Sequence, residues 1–240
     1  MTTHHDRSTQ LPERPTPSRE KAATRDDSPR VAGPVPITVW RLDDHDDAQP
    51  ATEPGARFAA RLARRLVLTY TSHGETVADL DDDPHLHSAA TAAGRAYLAI
   101  IEPAELPGPD QLSNPVSLIT LRWPRHPDPS TADQVGALLM ACRPIMAVDG
   151  CLIAAVRPSN SAEPGGSFAE HEHALRTAAE QAGLTHVLQI VAISGPGEGD
   201  QFLYYATHNE ATRAALQAAT APDRQALHID LLAFRHEGSR

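Results

Sequence analysis

The sequence is poor in the residues that mark several specialised classes of protein. Aromatic residues make up only 4% of the 240 residues, and there are two cysteines, Cys142 and Cys151. A core must therefore be built from Ala, Leu, Val and Ile, which the 40% share of hydrophobic residues allows. The cysteines lack the paired spacing of a metal site and exclude a disulfide-rich scaffold. They predict buried thiols in a reducing compartment.

Long apolar runs and positive charge are also scarce. No run approaches the roughly 20 residues of a membrane-spanning helix, and the N-terminus lacks the apolar segment of a signal peptide. These absences predict a soluble, cytoplasmic protein without membrane contact. The formal net charge of −10 disfavours a broad contact with nucleic acid, which needs a basic face, but it allows a local basic patch.

The first part of the chain differs from the rest in composition. Residues 1–33 are polar, rich in Pro, Arg, Thr, Ser and Asp, and show no periodicity. Such a segment buries too little apolar surface to offset the entropy of ordering it. We therefore predict a disordered tail over residues 1–33 and a single domain over residues 34–240.

From residue 35 onward, strand-like and helix-like segments alternate. The clearest helix is amphipathic, because apolar side chains recur at every fourth position from Phe58 to Tyr70. Ser167 and Glu170 form a capping box that opens a later helix, and Gly183 suits its end. The sequence further predicts strands over 35–42, 76–80, 95–101, 116–121, 151–156, 185–193 and 227–234, and a turn over 148–150.

This alternation predicts an α/β fold. The expected architecture is a three-layer sandwich with a mostly parallel, doubly wound (Rossmann-like) sheet and helices on both faces. The apolar segment 151–156 is typical of a central strand that is buried on both faces. The C-terminal strand is expected to run antiparallel to the others.

An acidic turn follows the strand that ends near Leu80. In an α/β fold, the first turn from strand to helix is where a nucleotide-like cofactor binds. Here the turn contains no glycine. Its polar residues are Asp79, Asp81, Asp82 and Asp83 before Pro84, and His85 and His87 after it.

Two interpretations of the acidic turn stay open. Aspartate and histidine together suit a divalent cation, whereas an aspartate-rich loop in an acidic protein is more often solvated surface. The second interpretation is the favoured one, so no metal is assigned. His171 and His173 lie two positions apart on a predicted helix and are expected at the surface.

Three parts of the chain resemble the class I S-adenosylmethionine-dependent methyltransferases, and more narrowly the bacterial DNA methyltransferase-like proteins that methylate exocyclic amino groups of bases. The helix 59–70 with the strand 76–79 is similar to the segment that leads into the family's first motif. The segment 141–158 is similar to its fifth strand and the turn before it. The segments 201–205 and 229–234 are similar to its closing elements.

The resemblance implies S-adenosylmethionine as the cofactor and assigns positions to its site. Asp79 matches the aspartate that ends the family's first strand, and Gly94 matches its later glycine. Glu102 matches the acidic residue that holds the ribose hydroxyls of the cofactor. Together with Asp81, the candidate cofactor-binding residues are thus Asp79, Asp81 and Glu102.

Two motifs depart from the family's pattern. Aspartates replace the glycine-rich turn, which adds side chains where the cofactor approaches the backbone and negative charge near its carboxylate. The catalytic tetrapeptide, a polar residue followed by two prolines and an aromatic residue, aligns with the segment 120–124. Arg122, Trp123 and Pro124 are therefore the candidate catalytic residues, with Trp123 either stacked on a base or buried.

These departures predict a methyltransferase-fold protein with eroded motifs, a pseudoenzyme that serves as a binding or regulatory module with DNA or protein as its partner. The alternative is an active S-adenosylmethionine-dependent methyltransferase with an atypical site. Basic residues on the outer face of the amphipathic helix favour either a solvated surface or a phosphate contact. They are Arg57, Arg61, Arg64 and Arg65.

Overall fold

The computed structural model describes residues 35–43, 58–100, 103–124, 132–156, 167–195, 199–205 and 227–236. The predicted tail 1–33, Arg57 and Glu102 lie outside these residues. No helix among them is long and apolar enough to cross a bilayer. The elements are β1 (Ile37–Asp43), α1 (Ala60–Tyr70), β2 (Thr76–Asp79), α2 (Pro84–Ala92), β3 (Ala96–Ala99), β4 (Val116–Trp123), α3 (Ala132–Cys142), β5 (Met146–Val156), α4 (Phe168–Gln181), β6 (Leu184–Gly195), β7 (Gln201–Tyr205) and β8 (Leu227–His236).

The strands form one eight-stranded sheet in the order β3-β2-β4-β5-β8-β6-β1-β7. The neighbours β3, β2, β4 and β5 are parallel, and so are β6 and β1. β8 is antiparallel to both β5 and β6, and β7 is antiparallel to β1. β6 and β1 therefore point the same way as β5. The predicted mostly parallel, Rossmann-like sheet with an antiparallel C-terminal strand is confirmed.

Helices cover both faces of the sheet, which confirms the three layers. β5 shows the reason, since its side chains alternate between two apolar cores. Leu152, Ala154 and Val156 pack in the core that includes Leu139 of α3 and Leu175 of α4. The opposite core, with α1 and α2, contains Cys151, Ile153, Ala155, Leu66 and Leu86. Both cysteines are buried, as predicted.

The helix signals of the sequence were largely correct. α1 buries Leu62, Ala63, Leu66 and Val67 along one face. At the start of α4 the capping box forms, because the Ser167 hydroxyl accepts a hydrogen bond from the Glu170 N–H and the Glu170 carboxylate accepts one from the Ser167 N–H. The positions of α1 and α4 can therefore be predicted from local sequence alone, without information about the sheet.

The prediction of a turn at residues 148–150 was wrong, because these residues belong to β5. Val116 of β4 pairs with Met146 and Leu118 pairs with Cys151, so the segment between those partners bulges out of the ladder. Gly150 is needed there, since a Cβ would lie 2.9 Å from the carbonyl oxygens of Ala147 and Val116. β4 also extends two residues beyond the predicted Leu121, to Trp123.

The surface prediction was wrong for His171 and right for His173. α4 turns His171 inward together with Leu175, Ala178 and Ala179, at the spacing that places residues on one helix face. His173 lies two positions further along the helix and is exposed.

Candidate functional site

The candidate residues lie where β2, β3 and β4 end. Asp79 is the last residue of β2, and it pairs with Ala99 of β3 and Thr120 of β4. The turn from Leu80 to Asp83 crosses this edge and leads into α2. Ligands of doubly wound sheets bind beyond the carboxyl ends of the parallel strands, at this same edge.

Asp79 is the centre of a hydrogen-bond network and is fully buried, with 0% of its surface exposed. Its Oδ1 accepts hydrogen bonds from the Thr120 hydroxyl (3.0 Å) and the Asp81 N–H (3.2 Å). Its Oδ2 accepts from the Tyr97 hydroxyl (2.9 Å) and the Asp83 N–H (2.5 Å). Both carboxylate oxygens are therefore engaged by the chain itself.

Burial sets the protonation behaviour of the Asp79–Tyr97 pair. It raises the pKa of the Asp79 carboxyl above its ordinary value, while the four hydrogen bonds oppose that rise. Burial also raises the pKa of the Tyr97 phenol, and the charge of Asp79 raises it further. Tyr97 consequently keeps its proton at neutral pH and donates it to the carboxylate.

Asp83 is also fully buried and connects the two helices. Its Oδ1 accepts from the His85 N–H (2.8 Å) and the Leu86 N–H (3.1 Å), which caps α2. Its Oδ2 accepts from the Phe58 N–H (3.1 Å), just before α1. One side chain thus holds the start of α2 against the entry to α1.

The other residues of the turn differ in exposure. The Leu80 side chain is buried in the core, and its N–H donates to the Thr120 carbonyl oxygen. The Asp81 carboxylate accepts a hydrogen bond from the Arg122 N–H. Asp82 is exposed and has φ +51°, a left-handed conformation that aspartate tolerates better than most residues. The solvated-loop interpretation therefore holds for Asp82 and was wrong for Asp79 and Asp83.

The histidines of the turn contact neighbouring elements. His85 Nδ1 lies 2.7 Å from the Phe58 carbonyl oxygen, and since that oxygen only accepts, Nδ1 carries the proton. The His87 ring stacks on Tyr97 with 4.5 Å between the ring centroids. Within the described ranges, no three His, Cys, Asp or Glu side chains are placed to hold a metal ion.

The three candidate catalytic residues lie at the end of β4. Arg122 and Trp123 pair with Ala155 and Val156 inside the sheet. Trp123 is only 3% exposed and belongs to the core on the α3 and α4 face. Its ring is therefore covered and does not present a face on which a base could stack. Pro124 follows at the edge and is half-buried.

Sequence reasoning missed Tyr97 and Thr120 as members of the site. Both are polar positions in apolar strands, which is the signal that was available. Their relation to Asp79 depends on strand register, because Thr120 lies directly beside Asp79 while Tyr97 reaches it from two positions earlier in β3. Glu102, the third cofactor candidate, lies outside the part of the chain that the structure describes.

The arginines of α1 contact Asp200, the groove between α1 and α2, or, for Arg61, both. Arg61 and Arg65 both bind Asp200, which precedes β7, at 2.8 and 3.0 Å. Arg64 is exposed and lines a groove of about 460 Å³ between α1 and α2. None of Asp79, Asp81, Arg122, Trp123 and Pro124 lines this groove.

No protein-family model matches the chain, and the search of curated proteins gave no match. Among solved structures, a variant of LepI in complex with SAH and a substrate analogue is 12% identical, with a TM-score of 0.36. The match covers 72% of this chain and 39% of the LepI chain. A SAM-dependent methyltransferase from Geobacter sulfurreducens with S-adenosylhomocysteine is 9% identical, with a TM-score of 0.41 over 79% of this chain and 95% of that one. The 1,6-didemethyltoxoflavin-N1-methyltransferase of Burkholderia thailandensis is 15% identical, with a TM-score of 0.40 over 75% and 78%. These low identities and TM-scores assign no family to the chain. The order and directions of its own strands are those of a Rossmann-like sheet.

Proposed function

We propose that this chain is a methyltransferase-fold protein that has lost methyl transfer and acts as a binding or regulatory module. The observation that carries the proposal is the engagement of Asp79. All four hydrogen bonds to its carboxylate come from the chain, and the carboxylate has no exposed surface. Asp79 therefore stabilises the turn, and its carboxylate has no free acceptor position for a cofactor.

The start of α2 supports the same conclusion. Unpaired N–H groups at a helix N-terminus are what attracts an anionic ligand group. Here the Asp83 carboxylate already accepts from the His85 and Leu86 N–H groups. The carboxylate of S-adenosylmethionine would have to displace Asp83 while approaching the negative charge of its neighbours.

Calorimetric titration of the full chain with S-adenosylmethionine tests the proposal. We expect no saturable binding at cofactor concentrations up to about 1 mM, which corresponds to a binding free energy weaker than about −4 kcal/mol. Methyl transfer from labelled cofactor to DNA is expected to stay at the level of a protein-free control. Stoichiometric binding together with methyl transfer would contradict the proposal.

An active methyltransferase with an atypical site is the second candidate, and one observation favours it. The strand order brings the ends of β2, β3 and β4 together, and Glu102 follows β3 in the sequence. In that case Glu102→Ala would weaken cofactor binding at least tenfold, while Asp110→Ala, an exposed carboxylate in the same connection, would not. Equal cofactor affinity in both variants and the wild type would remove this candidate.

The proposed partner is a protein rather than DNA. The net charge of −10 opposes the approach of a phosphate backbone, and two of the arginines on α1 are already paired with Asp200. The resemblance to DNA methyltransferase-like proteins makes DNA the necessary comparison. Binding of duplex DNA at 150 mM salt that falls steeply with added salt would reverse this choice.

A further inference from the structure

The groove between α1 and α2 shares only His85 with the acidic turn. It has a volume of about 460 Å³, within the range of small-molecule pockets. It lies against the sides of the two helices. Its lining residues are Ala60, Arg61, Arg64, Leu68, His85, Ser88, Ala89, Ala92, Ala93 and Arg95.

The charged side chains that line the groove are arginines, and one of them, Arg61, also pairs with Asp200 outside the lining. Three arginines line it and no carboxylate of a described residue does, although the protein as a whole carries a net charge of −10. Arg64 forms no hydrogen bond or ion pair with another described residue. A concave surface with only cationic side chains raises the local concentration of anions.

Two of the arginines are held in place before any ligand arrives. The Arg95 guanidinium donates to the hydroxyl (3.1 Å) and carbonyl (2.8 Å) oxygens of Thr71, and also to the Ala93 carbonyl oxygen. Arg61 donates through Nε to Asp200 at 2.8 Å. Because these side chains are already ordered, an anion would bind them with little further loss of rotamer entropy.

The rest of the lining suits an organic ligand with a polar group. The alanines at 60, 89, 92 and 93 let a ligand approach the helix backbones, and Leu68, which is 46% exposed, adds apolar surface. The Ser88 hydroxyl is exposed at the same surface. His85 Nε2 is covered and lacks a hydrogen-bond partner among the described residues. Because His85 Nδ1 donates to the Phe58 carbonyl oxygen, Nε2 is the ring nitrogen left to bond a ligand hydroxyl.

We propose that this groove binds a small organic phosphate, a phosphomonoester whose phosphate faces the arginines and whose apolar body lies on the alanines. Guanidinium groups bind phosphate through paired, charge-assisted hydrogen bonds. A small ligand fits better than a nucleic acid, because the three arginines line one groove between two helices. Apart from His85, the site uses different side chains from the cofactor turn. It therefore goes beyond the proposed function and does not depend on it.

Calorimetry with phenyl phosphate as the probe tests this site, with phenol and inorganic phosphate as partial ligands. We expect phenyl phosphate to bind at least tenfold more tightly than either partial ligand. Arg64→Gln is expected to weaken binding roughly tenfold, the effect of about 1.4 kcal/mol from one lost charge-assisted contact. Ala92→Trp should abolish binding by filling the groove without changing any charge.

Arg176→Gln is the matched control, since Arg176 is an exposed arginine on α4 whose partner is Glu172. It should bind the probe like the wild type. Equal weakening by Arg64→Gln and Arg176→Gln, or equal affinity for phenol and phenyl phosphate, would overturn the proposal. So would tighter binding of a single-stranded oligonucleotide that Ala92→Trp leaves unchanged. Thermal unfolding of each variant without ligand shows whether it is folded. Whether S-adenosylmethionine binds does not change the interpretation of the phenyl phosphate titrations.

Discussion

At the scale of single residues, the carboxylates of Asp79 and Asp83 accept hydrogen bonds from backbone N–H groups that a glycine-rich turn would leave free. A glycine turn leaves backbone N–H groups open to a ligand, whereas here the N–H groups of Asp81, Asp83, His85 and Leu86 are bonded to aspartate oxygens. The turn is thereby closed by its own side chains. Substitutions in this network should therefore change stability directly.

Removing the Tyr97 hydroxyl is the mildest such change. Tyr97→Phe keeps the ring that stacks on His87 and deletes the hydrogen bond to Asp79 Oδ2. We expect a loss of about 1–2 kcal/mol in the free energy of unfolding, measured with urea. Because this bond lowers the pKa of Asp79, that pKa should rise further in the variant, as followed by carbon NMR of the carboxyl. A pKa that stays at the wild-type value would show that the bond is absent in solution.

Asp79 also predicts a pH dependence with a definite sign. Its folded pKa is raised above the ordinary value of 3.8, so folding disfavours the ionised form. Its contribution to stability is therefore fully present below 3.8 and is lost as the pH rises through the folded pKa. The destabilisation caused by Asp79→Asn, measured by urea unfolding from about pH 4 to about pH 7, should shrink as the pH rises. A penalty that grows over this range would contradict the assignment.

At the scale of elements, Asp83 ties α2 to the entry of α1. Asp83→Ala removes the cap of α2 and leaves the buried Phe58 N–H without its acceptor. We expect a loss of about 2–3 kcal/mol in the free energy of unfolding, from the cap and the orphaned donor together.

Two variants show whether this loss has the proposed cause. Asp83→Ser, which can still cap α2, should recover about half of it. Asp82→Asn is the control, since Asp82 is exposed and asparagine tolerates its positive φ, and it should stay within about 0.5 kcal/mol of the wild type. An equal loss in Asp82→Asn and Asp83→Ala would point to the charge of the turn and not to the cap.

Asp200 joins another pair of elements, because it links the start of β7 to α1. Burial alone would raise its pKa, but hydrogen bonds from the Asp43 N–H and from Arg65 and Arg61 lower it overall. A depressed pKa means that the contribution is present above the ordinary value of 3.8 and is lost as the pH falls through the folded pKa.

Asp200→Asn should loosen β7 while the centre of the sheet keeps its protection. We expect amide hydrogen exchange of Gln201–Tyr205 to become roughly two- to fivefold faster, as for the loss of about 1 kcal/mol from partly exposed ion pairs. β5 and β8 should exchange as in the wild type. Glu172→Gln, which removes the pair with Arg176 on α4, is the control and should leave β7 unchanged. Unchanged exchange of β7 in Asp200→Asn would contradict the link.

The elements that the sequence predicted correctly are those with a local signature. α1 follows from its apolar period, α4 from its capping box, and the second half of β5, residues 151–156, from its unbroken apolar run. The bulge before Gly150 was not predictable, because it depends on the carbonyl oxygen of Val116 in a neighbouring strand. The same limit applies to the site. The aspartates were visible in the sequence, but Tyr97 and Thr120 become their partners only through the register of three strands.

At the scale of the whole molecule, strands that lie next to each other in the sheet are often far apart in the sequence. β8, the last strand in chain order among the described elements, lies between β5 and β6. β1, the first, lies near the opposite end of the sheet from β3 and pairs with β6 and β7. Contacts between residues far apart in sequence therefore dominate the core, and folds of this kind acquire their structure slowly.

The central place of β8 has a consequence for the protein during its synthesis. Until residues 227–236 have left the ribosome, β5 and β6 each present an apolar edge with unsatisfied N–H and C=O groups. Such edges are templates for pairing with other chains. Before β8 is made, the chain therefore exposes two strand edges that the folded protein covers, and these edges are where we expect aggregation to begin.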